Sequence, residues 1–156
     1  MEYRDMTVDE LRSAIERGES NFDGVRLPEG ADLSWINLKE IGRSLSFKNA
    51  VLIKTNWEKV VFSDFIKKIY VDFQNANLLG ANLQKADLRR ANLQKANLQE
   101  AHLGEANLQE ADLREANLQE AGRYGIQIPR NARLLYAQAG RYGIQIPRNA
   151  RLLYAH

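Results

Sequence analysis

The sequence predicts an all-β solenoid, a chain wound into stacked square coils, and three observations predict it. A five-residue unit repeats nine times without a break from Ala76 to Glu120. Aromatic residues make up only 8% of the chain, so much of its apolar content is Ala and Leu and the core must be narrow and regular. The outward charges of the repeat meet with opposite signs when residue n is stacked on residue n+20. At 156 residues there is room for one domain.

The repeat reads ANLLG, ANLQK, ADLRR, ANLQK, ANLQE, AHLGE, ANLQE, ADLRE, ANLQE. Ala opens each unit and Leu holds the third place. The second place is Asn or Asp except at His102, and the fourth and fifth are polar or small apart from Leu79. A helix spreads every fifth residue around its circumference, so this period does not suit one. A continuous strand sends every fifth residue to alternate faces, because its side-chain period is two. The conflict vanishes if the chain turns a corner once per unit. Ala and Leu then both point inward from a short extended segment, and four such faces close a coil of about twenty residues, stacked at ~4.8 Å so that coils satisfy one another's backbone groups. The inward places are Ala76, Ala81, Ala86, Ala91, Ala96, Ala101, Ala106, Ala111 and Ala116, with Leu78, Leu83, Leu88, Leu93, Leu98, Leu103, Leu108, Leu113 and Leu118. Asn or Asp in second place bonds backbone groups at the turn.

The repeat extends upstream in degraded form. Leu45-Ser46-Phe47, Ala50-Val51-Leu52, Thr55-Asn56-Trp57 and Val60-Val61-Phe62 each offer a central apolar residue, as do Ala31-Asp32-Leu33 and Ile36-Asn37-Leu38. Ser20-Asn21-Phe22 and Val25-Arg26-Leu27 start the series. Slips fall near Gly30, between Ile41 and Ser44, and between Phe65 and Tyr70, where corner loops are expected. Phe47, Trp57, Phe62 and Phe73, with Leu52, take the place that Leu takes later, as core filling in wider coils. Counting from Phe22 to Leu118 gives about twenty faces, or roughly five coils.

The twenty-residue period stacks Lys85 under Glu105, Arg90 under Glu110 and Lys95 under Glu115, and only Glu100 and Glu120 meet as like charges. A fifteen-residue triangular coil also gives three opposite pairs, but with more like pairs. Each exposed pair is worth at most ~1 kcal/mol, so its value lies in register. Asn77, Asn97 and Asn117 form one ladder on the same scheme.

The AN/DLxx pattern, clean over nine units, resembles the pentapeptide-repeat family. The resemblance implies a right-handed quadrilateral β-helix with Leu or Phe at the central inward place and Ala at the small one.

A solenoid needs capped ends. Residues 7–18 read as an amphipathic helix with Thr7 as N-cap and Glu10 completing a capping box. Leu11, Ala14 and Ile15 share one face and Gly18 stops the helix. Bacterial members of the family often begin this way. The division is then a helical cap over 1–19, a β-helix over 20–120, and a C-terminal cap or tail over 121–156. That tail holds AGRYGIQIPRNARLLYA twice, at 121–137 and unchanged at 139–155, the mark of recent duplication or deliberate assembly. One copy is expected to cap the last coil; the second caps nothing, lies on the first, or pairs with another chain.

Function is less legible. The chain has no cysteine, which excludes disulfides and thiolate chemistry. No phosphate loop, nucleophile elbow or metal-spaced cluster occurs, so no catalytic, cofactor-binding or metal residue is assigned, and a non-enzyme without cofactor or small-molecule ligand is expected. The charged N-terminus lacks an apolar run of signal-peptide length and no window approaches the ~20 apolar residues of a membrane span. A cytoplasmic protein with no membrane partner is expected. The net charge of +2 divides into +6 on 121–156, from Arg123, Arg130, Arg133, Arg141, Arg148 and Arg151, and −4 on the rest. These arginines are the candidate interaction residues. The primary reading is a structural scaffold or protein-interaction module whose partner is another protein, or a second copy met through the C-terminal end. The resemblance implies an alternative, a DNA mimic that binds DNA gyrase, but the body is weakly acidic and its faces mix signs. Nucleic-acid binding through the six arginines and Tyr124, Tyr136, Tyr142 and Tyr154 is a further, less favoured alternative.

Overall fold

In the computed structural model the described residues are 2–64, 66–121 and the strand segments 126–127, 138–139 and 144–145. The backbone is held by short parallel bridges. Two-residue strands β1 (Arg4–Asp5) and β2 (Val25–Arg26) pair in parallel, as do β3 (Leu45–Ser46) and β4 (Val71–Asp72). Isolated parallel bridges carry the rest.

The bridges fall into four columns, one for each face of the coil. The first runs Asn21, Ser46, Asp72, Asn92, Asp112, and the second Arg26, Val51, Asn77, Asn97, Asn117. The third runs Asp32, Asn56, Asn82, His102, and the fourth Asn37, Val61, Asp87, Asn107. Each column member stands beside its inward central residue, giving eighteen faces between Phe22 and Leu118 rather than about twenty. The difference is chain spent at corners. The one-turn helix α2 (Leu38–Ile41), ended by left-handed Gly42 at φ 76°, lies between the fourth face and the next. A short hairpin closed by the antiparallel bridge Asp64↔Ile69 occupies the same corner one coil later. From Asp72 to Asn117 every step is twenty residues.

One repeat unit accounts for all five of its backbone N–H groups, as buried backbone requires. Taking the unit at Ala76, the first N–H donates to the preceding Phe73 carbonyl at 2.9 Å, closing the corner. The second donates up to Ala50 O at 2.8 Å, the third down to Asn97 O at 2.8 Å, and the fifth down to Gln99 O at 2.9 Å. The fourth has no backbone partner, and the Asn77 side chain accepts it at 3.2 Å. The same bond recurs from Gln84, Gln94, Gln99 and Gln109 to the Asn two residues earlier. This is why the second place must be Asn or Asp. Two exceptions keep the logic: after Arg26 the fourth place is Pro28, which has no N–H, and after Ser46 the Lys48 N–H goes to Asp23 Oδ1 instead, whereas Val51, Val61 and His102 take the second place without offering such a carboxyl or amide oxygen.

The corner carries strain that the residue types do not announce. The fifth place lies in the left-handed region throughout the repeat, at φ 57° for Lys85, 61° for Arg90, 59° for Lys95 and 58° for Glu100. With the i→i+3 bond across it, this is the geometry of a type II turn, which favours Gly or Asn. Gly24, Gly30 and Gly80, with Asn49 and Asn75, occupy that place in the upper coils.

The core is one continuous cluster along the axis. All the inward Ala and Leu of the nine units are buried except Ala106, which is half-buried. Leu52, Phe47, Trp57, Phe62 and Phe73 are buried too. Phe22, Phe47 and Phe73 stack down the first column with ring centroids 5.4 and 5.7 Å apart. Trp57 meets Phe47 and Phe73 edge-on. Its indole N–H donates to Thr55 Oγ1 at 2.6 Å, and that hydroxyl donates to Leu52 O at 2.8 Å. Thr55 therefore replaces Ala at this inward place to satisfy a buried tryptophan.

Helix α1 (Val8–Glu16) lies at the N-terminal end. Thr7 and Glu10 form the reciprocal capping box, and Leu11, Ala14 and Ile15 are buried. The helix ends in a Schellman pattern, with Gly18 N–H on Ile15 O and Glu19 N–H on Ala14 O, both 3.0 Å. Arg43 from the loop after α2 donates to the Ile15 and Glu19 carbonyls, tying the helix end to the coil.

Candidate interaction surface

With the inward and backbone-satisfying places assigned, the outward side chains form vertical ladders at coil spacing. Asn97 Nδ2 donates to Asn77 Oδ1 at 3.1 Å and Asn117 Nδ2 to Asn97 Oδ1 at 3.3 Å. On the third face Asn82 donates to Asn56, and Asn56 to Asp32. The fifth-place pairs stand at 3.7 Å for Lys85–Glu105, 2.7 Å for Arg90–Glu110 and 3.6 Å for Lys95–Glu115. All are solvent-screened, so they set register more than they add stability.

Residue-level reasoning missed one outward rule. In both ADLRx units Asp in second place is followed by Arg in fourth, and the two form a two-pronged ion pair. The Arg89 and Arg114 guanidiniums are raised above their ordinary value, chiefly by the Asp87 and Asp112 side-chain bonds. Asp72, followed by Gln74, instead has Lys48 of the coil above at 3.3 Å. In the ADLRx units the Asp thus comes with its own cation, a signal those units display openly. At the other end, the Arg26 fork on Asp5 holds that carboxyl below the usual carboxylate range.

The second face departs from the polar rule. Its fourth-place column holds Pro28, Ile53 and Leu79 before reverting to Gln99 and Gln119, and Val51 takes its second place. These side chains point away from the core and are half-buried or exposed. The hairpin at the fourth-face corner is the other apolar feature: Ile66 is 91% exposed and Tyr70 42%.

The candidate arginines Arg123, Arg130, Arg133, Arg141, Arg148 and Arg151 lie outside the described residues. Strand β5 (Asn117–Leu118) of the last repeat unit pairs in parallel with β7 (Gln138–Ala139), and β6 (Ile126–Gln127) with β8 (Ile144–Gln145). The latter pairing joins equivalent residues of the two identical copies. Among the described residues no group of three or more His, Cys, Asp or Glu side chains is placed to hold a metal, and no helix is long and apolar enough to cross a membrane. His102 sits on the third face as the bridge partner of Asn82 in the coil above, one residue of an outward column.

A family model for pentapeptide repeats matches eight copies over residues 69–103 and 91–121. Residues 69–121 are therefore a run of pentapeptide repeats. A solved structure of the pentapeptide-repeat protein Rfr23 from the cyanobacterium Cyanothece 51142 is similar at 25% identity and a TM-score of 0.50, over 83% of this chain. This chain spans 63% of that structure's length. A pentapeptide-repeat protein from Nostoc PCC 7120 is 23% identical, with 86% of this chain and 99% of that one covered and a TM-score of 0.40. QnrB1, a plasmid-mediated fluoroquinolone resistance protein, is 13% identical over 83% of each chain, with a TM-score of 0.28. No curated protein matches the sequence. The repeats and the likeness to Rfr23 together give a right-handed β-helix, and the four bridge columns are its faces.

Proposed function

We propose that this chain is a non-enzymatic scaffold, a right-handed quadrilateral β-helix of about five coils that presents flat faces to a protein partner. In this reading residues 1–19 close the N-terminal end and residues 121–156 the C-terminal end, and the protein works in the cytoplasm. The observation that carries the proposal is the division of labour within the unit. Ala and Leu fill the core, and Asn or Asp satisfies the fourth-place N–H, so the polar side chains of the repeat are engaged in building the coil. What remains is an outward lattice at fixed coil spacing, suited to recognising a surface rather than to chemistry.

The test is co-purification from the native host with the full chain, repeated with charge-reversed outward residues. A partner retained by the native chain and lost on reversal supports the scaffold. Turnover of any substrate that depends on a repeat side chain sinks it. The mixed-sign ladders argue against an acidic mimic of duplex DNA, and a DNA gyrase supercoiling assay is expected to show neither inhibition nor protection.

A further inference from the structure

Two apolar features of this rod are not demanded by the coil, and they lie on opposite sides of it. One is the hairpin inserted between the fourth and first faces, closed by Asp64↔Ile69. The Asp64 side chain accepts the Ile66 and Lys67 N–H groups at 3.0 and 3.1 Å, so the tip is a built turn. It projects Ile66, with Lys67 and Lys68 beside it, all exposed. Of the three exposed large hydrophobic residues described, Ile66 stands on this hairpin and Tyr70 directly follows its closing residue. An isoleucine 91% exposed at a loop tip gains burial from any apolar seat it meets.

The other feature is the stripe on the second face, two columns away around the coil. Pro28, Ile53 and Leu79 follow one another down the fourth place, with Val51 alongside. None belongs to the core cluster or packs against it. Elsewhere the coil fills these places with polar residues, apart from Gly104 and a single apolar residue, Val61 on the fourth face, so a continuous apolar column is peculiar to the second face and serves something outside the chain. Directly below Leu79 the same face becomes acidic, with Glu100 stacked over Glu120 as the like-charge pair of the repeat.

We propose that the hairpin of one copy docks on the second face of another copy of this chain. Ile66 takes the apolar stripe at Ile53 and Leu79, while Lys67 and Lys68 face the Glu100 and Glu120 ladder. The complementarity is twofold: apolar tip to apolar stripe, and adjacent lysines to adjacent glutamates. Both elements sit on one molecule at different places, so the contact is heterologous and propagates instead of stopping at a pair. Its small footprint makes it weak and reversible, and its charges make it salt-sensitive. The inference rests on reading the rod as an interaction scaffold and names one partner for it. Capture of a different protein is measured separately, so failure here leaves that broader reading standing.

The experiment is sedimentation velocity on the full chain over a wide concentration range at low and high salt, with circular dichroism confirming that each variant folds. The expected result is a weight-average mass that grows past two chains with concentration at low salt and falls at high salt. Ile66→Asp, on the exposed tip, is expected to weaken association about tenfold or more, and Leu79→Gln likewise. Lys67→Glu with Lys68→Glu abolishes it, and adding Glu100→Lys with Glu120→Lys restores it. A single-chain mass throughout overturns the proposal. So does association that survives Ile66→Asp but disappears on removing residues 139–156, which assigns self-contact to the tail. Binding to phosphatidylserine vesicles by a chain that stays single assigns the hairpin to a lipid surface and also overturns it.

Discussion

The two halves of this rod solve the same problem with different means. From Ala76 to Glu120 the coil is uniform: every central place is Leu, every first place is Ala, and each turn takes twenty residues. From Phe22 to Phe73 no two faces are alike. The vertical steps are twenty-four to twenty-six residues, three phenylalanines stack in one column, and a tryptophan needs its own threonine. The uniform half stores its specificity in period, so its faces are interchangeable. The irregular half stores it in particular contacts. The family model matches from residue 69, near where the uniform half begins.

That contrast predicts the largest effect. Deleting residues 96–100 rotates everything below by one face and still sets Leu on Leu. The shortened chain is expected to keep its β-rich circular dichroism and a cooperative urea transition. Deleting residues 55–59 removes Trp57 and Thr55 and drags every later side chain out of the aromatic stack, and that chain is expected not to fold at 25 °C. Equal tolerance of both deletions breaks the distinction between the halves.

Exchanging side chains between halves sharpens it. Phe47 touches Phe22, Trp57 and Phe73, so Phe47→Leu is expected to cost about 2–3 kcal/mol in urea unfolding, from a void and lost ring contacts. Leu98→Phe over-packs a coil built for Leu and is expected to cost about 1–3 kcal/mol. A neutral Leu98→Phe contradicts a narrower lower coil. Thr55→Val keeps the shape but orphans the buried Trp57 N–H, at about 1–2 kcal/mol.

The smallest effect concerns the corners. Gly80 sits at φ 63°, and an added Cβ comes within 3.1 Å of Lys54 Cγ, so Gly80→Ala is expected to cost about 1 kcal/mol. Glu105 occupies the equivalent place at φ 58°, and Glu105→Gly relieves that backbone strain while raising the entropy of the unfolded chain. A change within about 0.5 kcal/mol of zero is expected there, so the two substitutions should differ clearly in thermal unfolding.

Much of the coil could be read from its letters because each place does one job. Period five against a side-chain period of two demands a corner; Ala and Leu mark the inside; and the n+20 charge pattern points to four faces over three. The capping box at Thr7 and Glu10 was equally plain. Other features were hidden for physical reasons. Left-handed residues are normally flagged by Gly or Asn, but here Lys, Arg and Glu occupy them, because the inter-coil hydrogen bonds from the fifth-place N–H hold the backbone regardless of side chain. The face count ran two high because α2 and the 64–69 hairpin consume residues without adding a wall. The outward stripe at Pro28, Ile53 and Leu79 was obscured because an apolar residue in a degraded repeat reads as core until its vertical neighbours are known. Within the uniform half, Leu79 alone was visible as an outward exception.

The four-column coil itself has a direct test, because the native chain contains no cysteine. Asn77 and Asn97 are bridge partners on one face, at a spacing that suits a disulfide. On mild oxidation the Asn77→Cys, Asn97→Cys chain is expected to close an intramolecular disulfide rapidly, seen as an unreactive pair of thiols by mass spectrometry. The Asn77→Cys, Asn92→Cys chain, spaced for a triangular coil, is expected to stay reduced or cross-link only between molecules. The reverse outcome, closure at fifteen residues and none at twenty, contradicts the square coil and with it the faces on which every functional statement rests.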